Sequence, residues 1–164
     1  MIGKKMEAAI NKQINAEFYS SFLYLSMAAD FKSQNFKGFA GWLEVQAHEE
    51  YGHAMRFYNH IIERGGRVKL EAIEAPKTEW KNALAAFTDA YEHEQKVTGL
   101  IYKLVEIARD EKDYAAESML KWFIDEQVEE EANTSEILGI LTLIGESKGS
   151  LYQLDHKLGK RKAD

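Results

Sequence analysis

Residues 43–57 read Leu43-Glu44-Val45-Gln46-Ala47-His48-Glu49-Glu50-Tyr51-Gly52-His53-Ala54-Met55-Arg56-Phe57. Leu43, Glu50, Ala54 and Phe57 fall at steps of seven, four and three, the spacing of one helix face. Phe36, Phe39 and Ile61 extend that face, so the pattern predicts a helix over about 37–64, stopped by Gly65-Gly66. Two features of this stretch are out of place on a core face. Glu50 sits in the middle of the apolar stripe. His53 follows it by three residues, on the same side of the helix, which makes an E-x-x-H pair.

Outward from this stretch the chain is helical almost throughout. Upstream, Met6, Ile10, Ile14, Glu17, Ser21, Tyr24, Ala28 and Phe31 predict a helix over about 4–32, ended by the turn formers Ser33-Gln34-Asn35. Downstream, residues 65–79 carry no helical period and include the only proline, Pro76. A third helix is expected over about 79–109, with Thr78 as its cap and Trp80, Ala83, Phe87, Ala90, Glu94, Ile101, Val105 and Ala108 on one face. After the turn Asp110-Glu111-Lys112-Asp113, a fourth helix fits about 113–144 through Ala116, Leu120, Phe123, Gln127, Glu130, Thr134, Leu138 and Leu141. Gly145 and Gly149 bracket a break, and Ser150–Leu158 fits a short fifth helix.

Four long helices of similar length predict an all-α bundle. The short turns near 33–36 and 110–113 make antiparallel hairpins. The middle connection, about 15 residues at ~3.3 Å each, spans roughly 50 Å. A 28-residue helix is about 42 Å long. One long crossover therefore carries the chain the length of the bundle between two antiparallel hairpins. The expectation is a single domain over 1–164: a four-helix bundle with one long crossover and a short C-terminal fifth helix.

Composition narrows the function classes. The 164 residues carry 21 basic and 27 acidic side chains, a formal charge of −6, and no Cys. The absent Cys rules out disulfides, thiolate zinc sites, Cys-ligated iron–sulfur clusters and a Cys nucleophile. Net negative charge disfavours nucleic acid as a partner. No apolar run reaches membrane-span length. Asn11, Lys12, Gln13 and Asn15 interrupt any signal-peptide core after Lys4 and Lys5. The expected compartment is the cytoplasm.

The chemistry lies in acids on the core stripes: Glu17, Glu50, Glu94 and, on the fourth helix, Gln127 with Glu130. Each falls about 13–15 residues into its helix, and mid-helix residues of antiparallel neighbours meet at one level. Buried, unpaired carboxylates at close quarters are costly and must be neutralised by protons or cations. Lys12, Lys96 and Lys121 point away from that level by period. Bound metal is then the expected counter-charge. A mostly oxygen set with one imidazole, His53, favours iron or manganese, with zinc as an intruder.

The segments Ile14-Asn15-Ala16-Glu17-Phe18-Tyr19 with Tyr24, Glu49-Glu50-Tyr51-Gly52-His53, Glu94, and Glu126-Gln127-Val128-Glu129-Glu130 resemble those of bacterial non-haem ferritins, along nearly the whole chain. The resemblance implies iron storage with a ferroxidase centre inside each subunit, oxidising Fe(II) with dioxygen or hydrogen peroxide. It implies a first iron site from Glu17, Glu50 and His53 with Gln127 nearby, and a second from bridging Glu50, Glu94 and Glu130. A third would use Glu49, Glu126, Glu129 and Glu130, and Tyr24 would stand beside the centre as an electron donor. It also implies a hollow shell of 24 subunits holding ferric mineral.

Departures separate relatives. The second E-x-x-H of bacterioferritins and rubrerythrins is replaced by Gln127-Val128-Glu129-Glu130, which suits a transit site rather than a permanent di-iron cofactor. Tyr51 stands where bacterioferritins place the haem-binding Met, so no haem is expected. DNA-protecting mini-ferritins, which place their ligands between subunits, lack this set within one bundle. The competing readings are a rubrerythrin-like di-iron peroxidase or oxygenase, and a non-catalytic shell protein whose acids only nucleate mineral. Trp42, Trp80 and Trp122 read as packing residues, and His48, His60, His93 and His156 carry no assigned role. Lys157–Lys162 reads as a solvated, frayed basic tail.

Overall fold

The Phe31 and Phe39 rings stack across a short turn, centroids 4.9 Å apart, and close the first helical hairpin. In the computed structural model, which describes residues 1–162, that hairpin joins α1 (Lys4–Ser33) to α2 (Lys37–Glu63). A second hairpin joins α3 (Ala83–Asp110) to α4 (Tyr114–Ile144), and α5 (Lys148–Leu158) follows. No strand occurs among the described residues, and no helix there is long and apolar enough to cross a membrane. Asn35 and Lys112 take left-handed backbone at the two hairpin turns, with φ of 64° and 54°. Asn tolerates that region better than Lys.

The crossover runs alongside α1 in the same direction. Asn11 Nδ2 donates to the Arg67 carbonyl at 3.0 Å, and its Oδ1 accepts from the Lys69 amide at 2.6 Å. Asn15 donates to Glu71 O and Ala72 O at 3.3 and 3.2 Å, and Ser26 Oγ donates to Lys77 O at 2.7 Å. Asp30 Oδ2 then accepts from the Trp80 amide at 3.3 Å. Nineteen residues of α1 cover about 28 Å, so the polar side chains of one helix rail the connection along the bundle. At the far end, Arg64 Nη1 grips both oxygens of Asp113 at 2.6 and 2.8 Å and ties the end of α2 to the start of α4.

Helix ends match the sequence expectation within one residue, with two exceptions. α3 begins at Ala83, not near 79. Its cap is Asn82, whose side chain accepts from Ala85 N at 2.8 Å, while Thr78 lies in the crossover. Trp80, expected on the α3 face, is instead an anchor of the crossover: its ring is buried and its Nε1 donates to Asp89 Oδ2 at 2.8 Å. A buried indole needs that acceptor, and Asn is a stronger cap than Thr. α5 begins at Lys148 because Ser147 accepts from the Ser150 amide, which places Gly149 inside the helix.

The apolar core is in two halves. One, near the hairpin turn of α1 and α2, is built on Met27, Phe31, Phe39, Leu43 and Phe87. The other is built on Met6, Ile10, Phe57, Ile61, Leu120 and Phe123, with Phe57 stacked on Phe123 at 4.0 Å. Between them lies a buried polar layer.

α5 seals the α2 end of the bundle through buried Leu154 and Leu158. Asp155 Oδ1 accepts from the Phe39 amide at 2.8 Å. Gly38 permits this: a Cβ there would stand 1.6 Å from the Asp155 carbonyl oxygen. We expect Gly38→Ala to lift α5 while the four long helices persist. Amide hydrogen exchange along 150–158 should rise at least tenfold with exchange in α1–α4 little changed; protection equal to wild type in α5 would contradict this packing.

Candidate metal centre

Every helix of the bundle sends a polar side chain into the layer between the two core halves. α1 supplies Glu17, α2 supplies Glu50 and His53, α3 supplies Glu94, and α4 supplies Gln127 and Glu130; all are buried. The co-levelling expected from counting along the helices is what the fold produces. Lys12, Lys96 and Lys121 are exposed, away from the layer.

Glu17, Glu50 and His53 each offer a ligand atom, and the three lie within 4.8 Å of one another. His53, Glu126 and Glu130 form a second such group. His53 is common to both: its Nδ1 is 3.2 Å from Glu50 Oε2, and its Nε2 is 3.9 Å from Glu126 Oε1. Two oxygens of the layer stand apart. Glu17 Oε2 and Glu130 Oε2 are buried and accept no hydrogen bond. Buried polar atoms are nearly always satisfied, so two bare oxygens at one level mark a place built for something else.

Glu94 belongs to neither group. Tyr24 Oη donates a short hydrogen bond to its Oε1, and Gln127 Nε2 donates to its Oε2 at 3.2 Å. Gln127 also donates to Thr98 Oγ1 at 3.2 Å, and so holds the Glu94 side rather than the first group. Glu49, Glu126, Glu129 and Glu130 line the mouth of a pocket of about 590 Å³ that leads to His53, with Glu129 exposed.

Sequence reasoning missed four contributors. Gln13 Nε2 donates to Glu17 Oε1 at 2.8 Å, and Gln46 Nε2 donates to Glu50 Oε1 at 3.0 Å. Both pairs are Gln-x-x-x-Glu at i,i+4, so a Gln one turn ahead of each interior acid was the available signal. His93, assigned no role, meets Ser20 Oγ at 2.8 Å and packs edge-on to Tyr24. Arg161 contradicts the expectation of a frayed tail. It donates to Glu49 through Nη2 and to Gln46 Oε1 through Nη1 at 2.9 Å, with its guanidinium 4.3 Å from the Trp42 ring centre. A basic stretch read as solvated hid a residue whose partners lie 112 and 115 positions away. Trp42 and Trp122 do pack; Trp122 lies edge-on to His53 at 5.4 Å and carries Arg56 on its face.

Electrostatics follows from burial. Desolvation first, then the Glu50 charge, pushes Glu17 to about 8. The same two causes push Glu130 to about 8 and Glu94 well above the usual carboxylate range. Burial pulls His53 down, but its hydrogen bond to Glu50 and the charges of Glu50, Glu17 and Glu130 outweigh that and raise it to about 9. Glu50 is the exception: burial raises it, and the His53 contact more than reverses this, leaving it ionised. Without metal, the layer holds one Glu50–His53 ion pair and protonated acids around it. Burial, with Glu94 behind it, pushes the Tyr24 phenol upward and keeps it protonated. A metal ion entering must displace protons from these groups.

Residues 7–144 match the family described as ferritin-like domain. The bacterial non-heme ferritin of Staphylococcus aureus strain MRSA252 is 41% identical over 164 residues, covering 100% of this chain and 99% of the relative. That of Bacteroides fragilis strain 638R is 42% identical over 161 residues, 98% of this chain and 100% of the relative. Among solved structures, an open pore ferritin from the hyperthermophilic archaeon Archaeoglobus fulgidus superposes with a TM-score of 0.98 at 52% identity, covering 99% of this chain and 100% of that one.

The raised acids predict how the metal-free protein responds to base. Unfolded Glu and His titrate near 4.5 and 6.5; folded Glu17 and Glu130 titrate near 8 and His53 near 9. The stability these groups lend is complete below their unfolded values and is lost as pH rises through 8 to 9. The Tm of metal-free protein should fall from pH 7 to pH 9, and a Glu17→Gln/Glu130→Gln double variant should show a shallower fall. The slope that the double variant keeps belongs to His53 and Glu94, which are also raised, so the variant removes only the Glu17 and Glu130 share. A wild-type Tm that is flat or rising over this window would refute the protonated layer.

Proposed function

The chain belongs to the ferritin family, and on that premise we propose that its polar layer is the ferroxidase centre of an iron-storage protein. Its substrate is Fe(II), its oxidant dioxygen or hydrogen peroxide, and its product a ferric mineral kept inside a protein shell. One observation carries the assignment. Glu17, Glu50 and His53 converge inside the bundle with a buried Glu17 oxygen left bare, an arrangement that suits the ligands of a cation.

The residues divide the work as follows. Glu17, Glu50 and His53 take the first iron. Glu50, the one acid already ionised, bridges to a second held with Glu94 and Glu130. The bare Glu130 oxygen supports that role, as does the upward push that the Glu50 and Glu130 charges give Glu94. To bind, Glu94 exchanges a hydrogen bond from Tyr24 or Gln127 for the metal. A third iron is held at the pocket mouth by Glu49, Glu126, Glu129 and Glu130. Gln13 and Gln46 fix the Glu17 and Glu50 carboxylates through one oxygen each; the other Glu17 oxygen is bare, and the other Glu50 oxygen meets His53, whose proton an arriving cation displaces.

Each Fe(II) gives up one electron. Carboxylates attract Fe(III) more than Fe(II) because the interaction scales with charge, so an acid-rich set favours the oxidised ion. Once metal binding has displaced the Glu94 proton, Tyr24 gives one electron to the bound dioxygen or peroxide that the iron is reducing, and its phenolic proton passes to the ionised Glu94 along their hydrogen bond. A set with a single imidazole lets the oxidised ion move on to the cavity. Fe(II) persists in a reducing compartment, so this reading places the protein in the cytoplasm.

The shell in this reading has 24 subunits. Exposed apolar side chains support association: Phe22 and Tyr51, each half-exposed, flank an apolar groove of about 270 Å³ together with Phe18, Leu70 and Ile73.

Two measurements test the proposal. His53→Ala and Glu94→Ala should each slow oxygen-dependent Fe(II) oxidation about 10–100-fold in stopped-flow absorbance; wild-type rates in both would remove the centre. Size-exclusion chromatography after aerobic Fe(II) loading should show iron eluting with a particle of about 450 kDa, 24 chains of 18.8 kDa. A small oligomer that retains its iron would favour a rubrerythrin-like enzyme. Iron oxidation no faster than in buffer would favour a non-catalytic mineralising shell.

A further inference from the structure

The pocket mouth carries acids from two helices and one ion-paired cation from the C-terminal segment. Glu49 comes from α2, and Glu126, Glu129 and Glu130 come from α4. Arg56 also lines the pocket, but it lies 4.1 Å over the Trp122 ring and forms no ion pair among the described residues. Arg161 is different. Its Nη2 donates to Glu49, its Nη1 donates to Gln46 Oε1 at 2.9 Å, and its guanidinium lies 4.3 Å from the Trp42 ring centre. The side chain is only 19% exposed, although it sits three residues beyond the end of α5.

The contact with Gln46 reaches further inward. A Gln amide has one acceptor and one donor end. With Oε1 engaged by Arg161, the Nε2 end faces Glu50 Oε1 at 3.0 Å. One guanidinium thus neutralises a mouth acid and sets the amide that steadies the bridging acid.

We propose that Arg161 is a tethered counter-cation at the mouth of the centre, holding Glu49 until a metal ion displaces it. The proposal rests on the metal reading above and adds an order of filling. The interior set of Glu17, Glu50 and His53 gives up only protons to an arriving cation, with no side chain to expel, and fills first. The mouth set, containing Glu49, fills last, because a cation arriving there must expel Arg161 from Glu49. Expulsion also breaks the stack on Trp42 and loosens residues 159–162. The mouth is therefore a weak, exchangeable position, suited to passing cations rather than keeping them. No covalent or redox step is involved: one cation replaces another on a carboxylate.

The test is oxygen-free isothermal titration of the assembled protein with Zn(II), comparing wild type, Arg161→Gln and Arg161→Lys. The interior class should keep its stoichiometry and stay the tighter class in all three, shifting less than the outer class, because Gln46 Nε2 still reaches Glu50 without Arg161. The weakest class should bind about five- to tenfold more tightly in Arg161→Gln, and Arg161→Lys should return toward wild type because the charge is restored. A merely structural tail would give the opposite result, since unpinning Glu49 and Gln46 without relieving competition weakens binding. In wild type itself, amide exchange at residues 159–162 should rise only once Zn(II) exceeds the interior sites. An unchanged or weaker outer class in Arg161→Gln, or exchange at 159–162 indifferent to Zn(II), overturns the proposal while leaving the interior centre intact. Absence of any interior Zn(II) class would overturn the metal reading and this proposal together.

Discussion

Acidic groups confined between two apolar half-cores are the constraint on which the rest of this structure depends. Glu17, Glu50, Glu94 and Glu130 are buried at one level with a single imidazole among them. A chain under selection for stability alone would fill that layer with Leu and Phe, as it does immediately above and below. The acids persist there at a cost that protons only partly offset: they keep the folded protein intact near neutrality but leave two oxygens without hydrogen bonds. A multivalent cation removes both penalties together, because it supplies charge and coordinates the bare oxygens.

The frame around the layer is stiff where precision is needed. Stacked aromatic pairs brace it on both sides, Phe31 with Phe39 and Phe57 with Phe123. The two glutamine donors immobilise the acids on α1 and α2 without consuming both oxygens. On the α3 side the Tyr24–Glu94–Gln127–Thr98 network does the same with more donors and less freedom. That asymmetry separates a ready-made interior set from a side whose acid must give up hydrogen bonds to bind.

Much of this was legible in the sequence because it is periodic. The 3.6-residue spacing of Leu43, Glu50, Ala54 and Phe57 identified both a helix and the acid inside its stripe, and the same reading placed the acids of the other three helices. The crossover's length implied its path, which the Asn11, Asn15 and Asp30 contacts follow. What escaped was aperiodic. Trp80 reads like a helix-face residue but anchors a loop, because its indole N–H finds Asp89. Gln13 and Gln46 look like ordinary polar residues until their acids are known to be buried. Arg161 lies in a run of Lys and Gly whose local pattern suggests solvent, and only the approach of α5 to Gly38 brings it back over α2. Local pattern reports which face is buried; it does not report which distant side chain arrives there.

The central claim is that the interior acids exist to hold metal, and diffraction can address it directly. Crystals loaded with Fe(II) without oxygen should give anomalous peaks at the iron edge inside the bundle, bounded by Glu17, Glu50 and His53, before any peak at the Glu49 mouth. Iron found only on exterior acids, with the layer between the two core halves empty at saturating Fe(II), would contradict the account.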